Sequence, residues 1–204
     1  MPMFDRHPML LATALMLPSS AIATPLAPHQ AVYELKLSDE SEGFVDAEGR
    51  IAMELRTDTC GVYDLDYRFV ARFQQEQEIT LTDQQTNSTE NQQGTSFAFT
   101  TKTFVDGAPE KEIRGEARQH PEGTKVTMQA PVAKDFELPS SRFPMQHTIE
   151  LIAKAKAGER IVETKLFDGD DDAEKLLSST AIIAPGTGPA GAPAVAVGAS
   201  PPSA

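Results

Sequence analysis

Apolar and polar residues alternate along most of the chain as far as residue 130, and the longest run begins just after the single cysteine. Between Val62 and Phe73 every second residue is apolar or aromatic, and the charged residues fall between them. A period of two residues is typical of a β-strand that turns one face to the protein interior. The residues predicted to form this apolar face are Tyr63, Leu65, Tyr67, Phe69 and Phe73. A strand of twelve residues is about twice the usual length and favours a strongly curved sheet.

Shorter alternating runs on either side predict further strands joined by tight turns. They cover residues 30–37, 50–57, 78–82, 95–105, 113–117 and 125–130. The polar continuation over 83–91 indicates a solvated or edge strand. No helical pattern separates these runs, and parallel neighbours would need long crossover connections. The pattern therefore predicts an antiparallel meander that forms a strongly curved sheet or an open barrel.

A helical pattern replaces this alternation after residue 135. Pro144 suits the first turn of a helix, Ile149, Ile152 and Ala153 follow helical spacing, and Gly158 favours a stop. We predict one helix over about 144–157, packed on the sheet and plugging its open side. A strand over 160–167 and another beginning at 176 complete an all-β fold with one helix.

The two ends of the chain differ from this central body. Arg6 and His7 precede an apolar run and the small residues 21–23, which is the pattern of a secretory signal cleaved after Ala23. The apolar run has nine residues, whereas a membrane-spanning helix needs about 20. Residues 184–204 are rich in proline, glycine and alanine and carry no charge, which predicts a disordered linker or tail. Residues 24–183 are thus predicted to form one β domain.

Charge and cysteine content narrow the functional classes. The net charge is −12, and removal of the signal leaves it unchanged because one acid and one base are lost. Such a surface repels nucleic-acid phosphates, so no nucleic-acid partner is predicted. A lone cysteine in an exported chain is either a buried free thiol or half of a disulfide. The position of Cys60 in a turn favours the disulfide.

The sequence gives only weak signals for catalytic or metal-binding sites. The acidic residues around Gly169 do not have the spacing of a calcium loop, so a solvated turn is the preferred interpretation. His147 lies on the first helical turn without a nucleophile or a metal-ligand pair at a suitable spacing, which favours a structural role. We interpret the glycosylation sequon at 87–89 as chance. The sequence therefore predicts no catalytic, cofactor or metal site, and no enzyme.

Five sequence blocks, taken in order, resemble one known family. They are PHQAVYELKL (28–37), AEGRIAMEL (47–55), YRFVARF (67–73), SFAFTTKTFVDG (96–107) and FELPSSRFPMQHTIELIAKAKAGE (136–159). The chain is similar to the EipB-like proteins, exported cell-envelope integrity factors of alphaproteobacteria, over about residues 28–183. Each block alone is weak, and their combination is specific.

The resemblance implies a periplasmic, spiral-like antiparallel sheet akin to the lipoprotein carriers LolA and LolB, without established enzymatic activity. It implies a disulfide between Cys60 and a cysteine near the C-terminus of the family, and a TPR-repeat protein as a periplasmic partner. Phe143, Pro144 and His147 belong to the longest matching block and are expected to be structural. The C-terminal third of the family, with its second cysteine, has no counterpart here. We therefore expect an incomplete chain with exposed strand edges.

Two functions from different classes follow. In the first, the protein supports envelope integrity by docking on a protein partner through its acidic, polar strand faces. In the second, it is a carrier that holds an acyl chain or lipid between the curved sheet and the helix at 144–157. The aromatic row from Tyr63 to Phe73 is compatible with both.

Overall fold

The computed structural model of the chain describes residues 25–38, 43, 45–170 and 175–184, so the predicted signal peptide and the predicted tail from residue 185 lie outside the described residues. The described part contains ten strands and one helix. They are β1 (His29–Lys36), β2 (Asp46–Thr57), β3 (Val62–Gln74), β4 (Ile79–Asn91), β5 (Ser96–Val105), β6 (Ala108–His120), β7 (Gly123–Ala130), β8 (Lys134–Leu138), α1 (Pro144–Lys156), β9 (Ile161–Leu166) and β10 (Leu177–Ile182).

The first eight strands form one antiparallel meander in which each strand pairs with its neighbours in sequence. The long strand β3 pairs with β4 along all of its residues and with β2 along nearly all of them. Strands β1 and β8 are the edges, so within the described residues the sheet is not closed into a barrel. The predicted antiparallel, mostly β fold with one helix is confirmed.

The structure contradicts the edge alternative for β4 and adds one strand that the sequence did not predict. Strand β4 lies between β3 and β5 and is therefore not an edge strand. Its polar side chains misled the prediction, because strand pairing uses backbone groups and tolerates polar side chains that find partners across the sheet. Strand β8 was not predicted at all. Its short run offers only Phe136 and Leu138 as an alternating apolar pair, which is too little signal.

The hydrophobic core lies over the second half of the sheet. Its buried members come from β5, β6 and β7 and from two segments that cross above them: Phe97, Phe99, Ile113, Ala117, Val126, Met128, Phe143 and Phe167. The ring of Phe97 stacks on Phe99 and on Phe143 with centroids 5.3 Å apart. Phe143 and Phe167 therefore form the lid of the core.

The predicted apolar face of β3 points to the same side of the sheet as this core, but it is covered unevenly. Tyr63 is fully buried, whereas Leu65, Tyr67, Phe69 and Phe73 are half-buried. The difference arises because the lid covers β5 to β7, and most of β3 lies beyond it.

Helix α1 begins at Pro144, and Gly158 follows its C-terminal cap with a φ of +85°, a conformation that favours glycine. None of its residues is buried, and Ile152 is 41% exposed. The prediction that this helix plugs the open side of the sheet was wrong, because the apolar contacts are made by Phe143, which precedes the helix. Strands β9 and β10 form a separate two-stranded sheet next to α1. Among the described residues no helix is long and apolar enough to cross a bilayer.

Candidate binding surfaces

The face of β1 to β4 opposite the core carries a network of cross-strand ion pairs. Register places Glu34 directly opposite Arg50, and Arg50 Nε donates a hydrogen bond to Glu34 Oε1 at 2.9 Å. Arg68 Nε and Nη2 donate to the two carboxylate oxygens of Asp83 at 3.0 and 2.7 Å. We call this surface the polar face. Its charged members on these strands include Glu34, Glu48, Arg50, Arg56, Asp64, Asp66, Arg68, Arg72 and Asp83.

Hydrogen bonds on the polar face shift the pKa values of Arg56, Arg68 and Asp83 toward their charged forms. The hydrogen bond from Arg68 holds the pKa of Asp83 below its usual value, and the pKa of Arg68 is raised in turn. The pKa of Arg56 is raised, first by its hydrogen bond to Asp66 and then by that to Asp64. The Arg68–Asp83 pair therefore stays charged on both sides across the neutral pH range.

Three adjoining depressions of about 640, 420 and 470 Å³ lie on the polar face and on its continuation over β5 to β7. The first two share Ala52 and Arg68, and the second and third share Asp66 and Asn87, so together they form one trough across the sheet. Six basic and six acidic residues line this trough, although the whole chain carries a net charge of −12. The expectation of an acidic docking face is corrected here, because the recessed part of this face is charge-balanced.

The opposite face of β1 to β3 is apolar and lies outside the lid of the core. Register aligns Tyr33, Ile51 and Phe69 across these three strands. Tyr33 is 43% exposed, and Ile51 and Phe69 are half-buried. We call this surface the open wall and define it by Tyr33, Ile51, Met53, Tyr67 and Phe69.

The turn after β9 borders the open wall. Asp168 Oδ1 accepts a hydrogen bond from the backbone N–H of Asp170 at 3.1 Å, which closes a tight turn. Burial raises the pKa of Asp168, and the pKa of Tyr67 is raised by burial and by the charge of Asp170. Asp171 and Asp172 lie outside the described residues, and within the described part of the chain no group of acidic, histidine or cysteine side chains has the arrangement of a metal site.

Sequence reasoning missed Glu90, a buried carboxylate on β4 that is only 2% exposed. Its two oxygens accept hydrogen bonds from the backbone N–H groups of Met145 and Gln146 at 2.8 and 2.9 Å. Burial raises the pKa of Glu90 to about 7, although these two bonds act in the opposite direction. Its position in register with Tyr63 and Phe97 places it on the core side of the sheet, and that register is visible only in the structure.

The three residues of the family block have distinct places around the start of α1. Phe143 is fully buried in the core, and Pro144 occupies the first turn of the helix. His147 Nε2 lies 3.2 Å from Ser179 Oγ on β10, and its Nδ1 is buried without a hydrogen-bond partner. Burial lowers the pKa of His147. A serine and a histidine thus meet, but among the residues that the structure describes no acid orients the imidazole through Nδ1, as a catalytic triad requires.

Cys60 is an exposed free thiol in the turn between β2 and β3. Asp58 Oδ1 accepts hydrogen bonds from the backbone N–H groups of Cys60 and Val62, and Gly61 adopts a φ of +78° that glycine tolerates. The sequence has one cysteine, so the disulfide implied by the family resemblance stays a prediction.

Comparisons with known proteins agree with this fold. A family model described as EipB-like matches residues 20–199. The cell envelope integrity protein EipB of Brucella abortus (strain 2308) is 38% identical over 168 residues, which cover 81% of this chain and 60% of the relative. The chain therefore spans 60% of the length of that curated relative. The crystal structure of a beta-barrel-like protein of a domain of unknown function, DUF1849, from Brucella abortus matches with a TM-score of 0.75 at 37% identity, covering 78% of this chain and 68% of that one.

Proposed function

Because the chain belongs to the EipB-like family, we propose that it supports the integrity of the cell envelope as an exported, non-enzymatic binding protein of the periplasm. The curated relative is named for its role in cell envelope integrity. The predicted signal peptide supports export. The partner class that we propose is a periplasmic TPR-repeat protein, which the family resemblance implies.

The trough on the polar face is the observation that carries this proposal. Exposed ion pairs contribute only about 0–1 kcal/mol each to stability, so folding alone gives little reason to concentrate them on one face. In recognition, charges of both signs fix register and exclude wrong partners. A protein surface with charges of both signs matches a trough lined by six basic and six acidic residues.

The surroundings of His147 support the non-enzymatic part of the proposal. Its neighbour Glu150 is held by Arg142 and Lys154 at 3.0 and 3.7 Å, and it does not orient the imidazole. His147 Nδ1 has no hydrogen-bond partner among the described residues, so no acid orients the imidazole beside Ser179. Activation of a serine by this histidine would need such an orienting group.

Charge reversal at one ion pair tests the proposal. Arg68→Glu and Asp83→Arg each leave two like charges side by side, whereas the double variant restores an ion pair with reversed polarity. If the trough binds a partner, the double variant regains the stability of the wild type but fails to protect cells that lack the native gene against detergent. If the double variant protects cells as well as the wild type does, the Arg68–Asp83 pair has no role in recognition. That result would contradict the proposal that this part of the trough binds the partner.

The open wall favours a second candidate, a carrier of lipids or other hydrophobic ligands. Tyr33, Ile51 and Phe69 present half-exposed apolar surface that the core lid leaves uncovered. Lipid mass spectrometry of protein purified without detergent tests this function, with Phe69→Asp as the disrupting variant. Bound lipid in the wild type that is lost in Phe69→Asp supports the carrier, and wild-type protein free of lipid excludes it.

A further inference from the structure

Strand β4 is central in the large sheet, yet it turns a row of hydroxyl and amide side chains toward the core side. These residues share the face of Glu90, because side chains alternate along a strand. The corresponding residues of the neighbouring strand β3 are all apolar or aromatic. We call the row the hydroxyl stripe; its members, all half-buried, are Thr80, Thr82, Gln84, Thr86 and Ser88.

Register places aromatic rings of the open wall directly beside the hydroxyl stripe. Tyr67 pairs with Thr86, and Phe69 pairs with Gln84. On the other side of the stripe, Thr103 of β5 pairs with Gln84. Side chains in such pairs have their Cβ atoms about 4.5–5.5 Å apart. Gln84 therefore stands between an aromatic ring and a hydroxyl group.

Several hydroxyl groups of this region have no partner in the protein. Within the described part of the chain, the side-chain oxygens of Thr82, Ser88 and Thr103 make no hydrogen bond and are not buried. Burying a hydroxyl group without a partner is unfavourable. A ligand that covers this region must therefore bring hydrogen-bonding groups of its own, which an acyl chain does not have.

The charges around the hydroxyl stripe favour an uncharged ligand. The core-side residues of β1 to β5 include no lysine or arginine, the side chains that recognise carboxylate and phosphate groups. An acid borders the stripe instead, since Gln84 Nε2 donates a hydrogen bond to Asp170 Oδ1 at 3.5 Å. An anionic headgroup would be repelled at this position.

We propose that the hydroxyl stripe and the adjoining rings of Tyr67 and Phe69 bind an uncharged oligosaccharide. A sugar ring has an apolar face of C–H groups that packs on an aromatic ring, and hydroxyl groups at its rim that both donate and accept. A ring lying on Phe69 directs its rim toward Gln84 and Thr103. An extended peptide fits less well, because its backbone pairs with the edge of a sheet and this site is on a face.

This binding activity goes beyond both roles proposed above. The site lies on the face opposite the trough, and its ligand is not a lipid. If saccharide binding fails, the protein-binding role of the trough is unaffected.

Calorimetry of the purified chain with maltotetraose, cellotetraose and chitotetraose tests the proposal. We expect at least one of these tetrasaccharides to bind. Gln84→Leu and Thr103→Val keep the size of the side chain and should each weaken binding about tenfold. Thr148→Val on the exposed surface of α1 is the matched control and leaves binding unchanged. Failure to bind all three saccharides, or binding that either stripe-side variant leaves unchanged, overturns the proposal.

Dodecanoate serves as an acyl probe with the opposite expectation. Gln84→Leu and Thr103→Val add apolar surface, so both would strengthen the binding of an acyl chain while they weaken that of a saccharide. Phe69→Leu keeps the test decisive if those variants do not fold, because it removes the flat ring and retains an apolar side chain. It should weaken saccharide binding about tenfold. Saccharide binding that survives Phe69→Leu, or dodecanoate binding without saccharide binding, contradicts the proposal.

Discussion

Glu90 accepts a hydrogen bond at 2.9 Å from the backbone N–H of Gln146, a residue 56 positions further along the chain. The other carboxylate oxygen accepts the N–H of Met145 at 2.8 Å. Phe143 at the cap position offers no side-chain hydrogen bond, and the first turn of α1 contains no acid. A residue of the sheet therefore supplies the cap that the helix lacks, which fixes the start of α1 although no helix residue is buried.

Glu90 makes the stability of the protein depend on pH. The pKa of its carboxyl rises from 4.5 to about 7 on folding, so the folded state binds the proton more tightly. The resulting stabilisation is complete below the unfolded pKa and is lost as the pH rises through the folded pKa. We expect the free energy of unfolding to fall by about 3 kcal/mol between about pH 4.5 and pH 8.

Urea unfolding across this pH range measures the effect. Glu90→Gln cannot titrate and should remove most of the slope, whereas Asp168→Asn should remove a separate part, because burial also raises the pKa of Asp168. An unchanged slope in Glu90→Gln would show that Glu90 is ionised at its ordinary pKa.

Phe143, the residue before helix α1, should contribute strongly to the stability of the core. It is fully buried and stacks on Phe97, so Phe143→Ala should lower the free energy of unfolding by about 3–5 kcal/mol. Ile152→Ala on the exposed side of α1 is the matched control and should change it by less than about 1 kcal/mol. Chemical denaturation of both variants is the measurement, and equal effects would contradict the placement of the core.

His147 and Ser179 should be coupled in stability. Their hydrogen bond links α1 to β10, and we expect a double-mutant cycle with alanine at both positions to give a coupling of about 0.5–1.5 kcal/mol. His147→Ala should leave envelope protection intact where the protein stays folded. Loss of protection in a variant that keeps wild-type stability would instead indicate a chemical role.

Cys60 should react as an accessible thiol. It is exposed in the turn between β2 and β3, so a maleimide should label the purified native chain. Chains that escape labelling should be cross-linked to another molecule and should become reactive after reduction. Mass spectrometry with and without a reductant distinguishes the free thiol from an intermolecular disulfide. An unreactive monomer that labels only after unfolding would contradict the exposed position.

The alternation of apolar and charged residues predicted strands such as β3, in which one face is apolar and the other is mostly charged. Pro144 and Gly158 correctly marked the two ends of the helix. Local patterns did not show that β4 is a central strand, because such a strand can be polar when its side chains bond across the sheet, as Asp83 does with Arg68. They also failed for Glu90, whose partners are the backbone N–H groups of a distant helix. No periodicity in sequence encodes such a contact.

Sequence periodicity also could not predict the two candidate surfaces. Alternation predicted that β3 has a charged face, but the trough depends on register, which brings Glu34 opposite Arg50 and leaves small residues such as Ala52 on its floor. The open wall depends on where Phe143 and Phe167 cross the sheet. Neither crossing point can be read from the spacing of apolar residues.

Photocrosslinking in living cells tests most directly whether the polar face is the binding surface. A photoreactive amino acid replaces Val70, which lines the largest depression of the trough, and is compared with the same replacement at Tyr33 on the open wall and at exposed Val132 as a control. The account predicts one specific protein adduct through position 70 that disappears when Arg68→Glu and Asp83→Arg are combined. Adducts through position 33 alone, or lipid adducts without a protein, would contradict it.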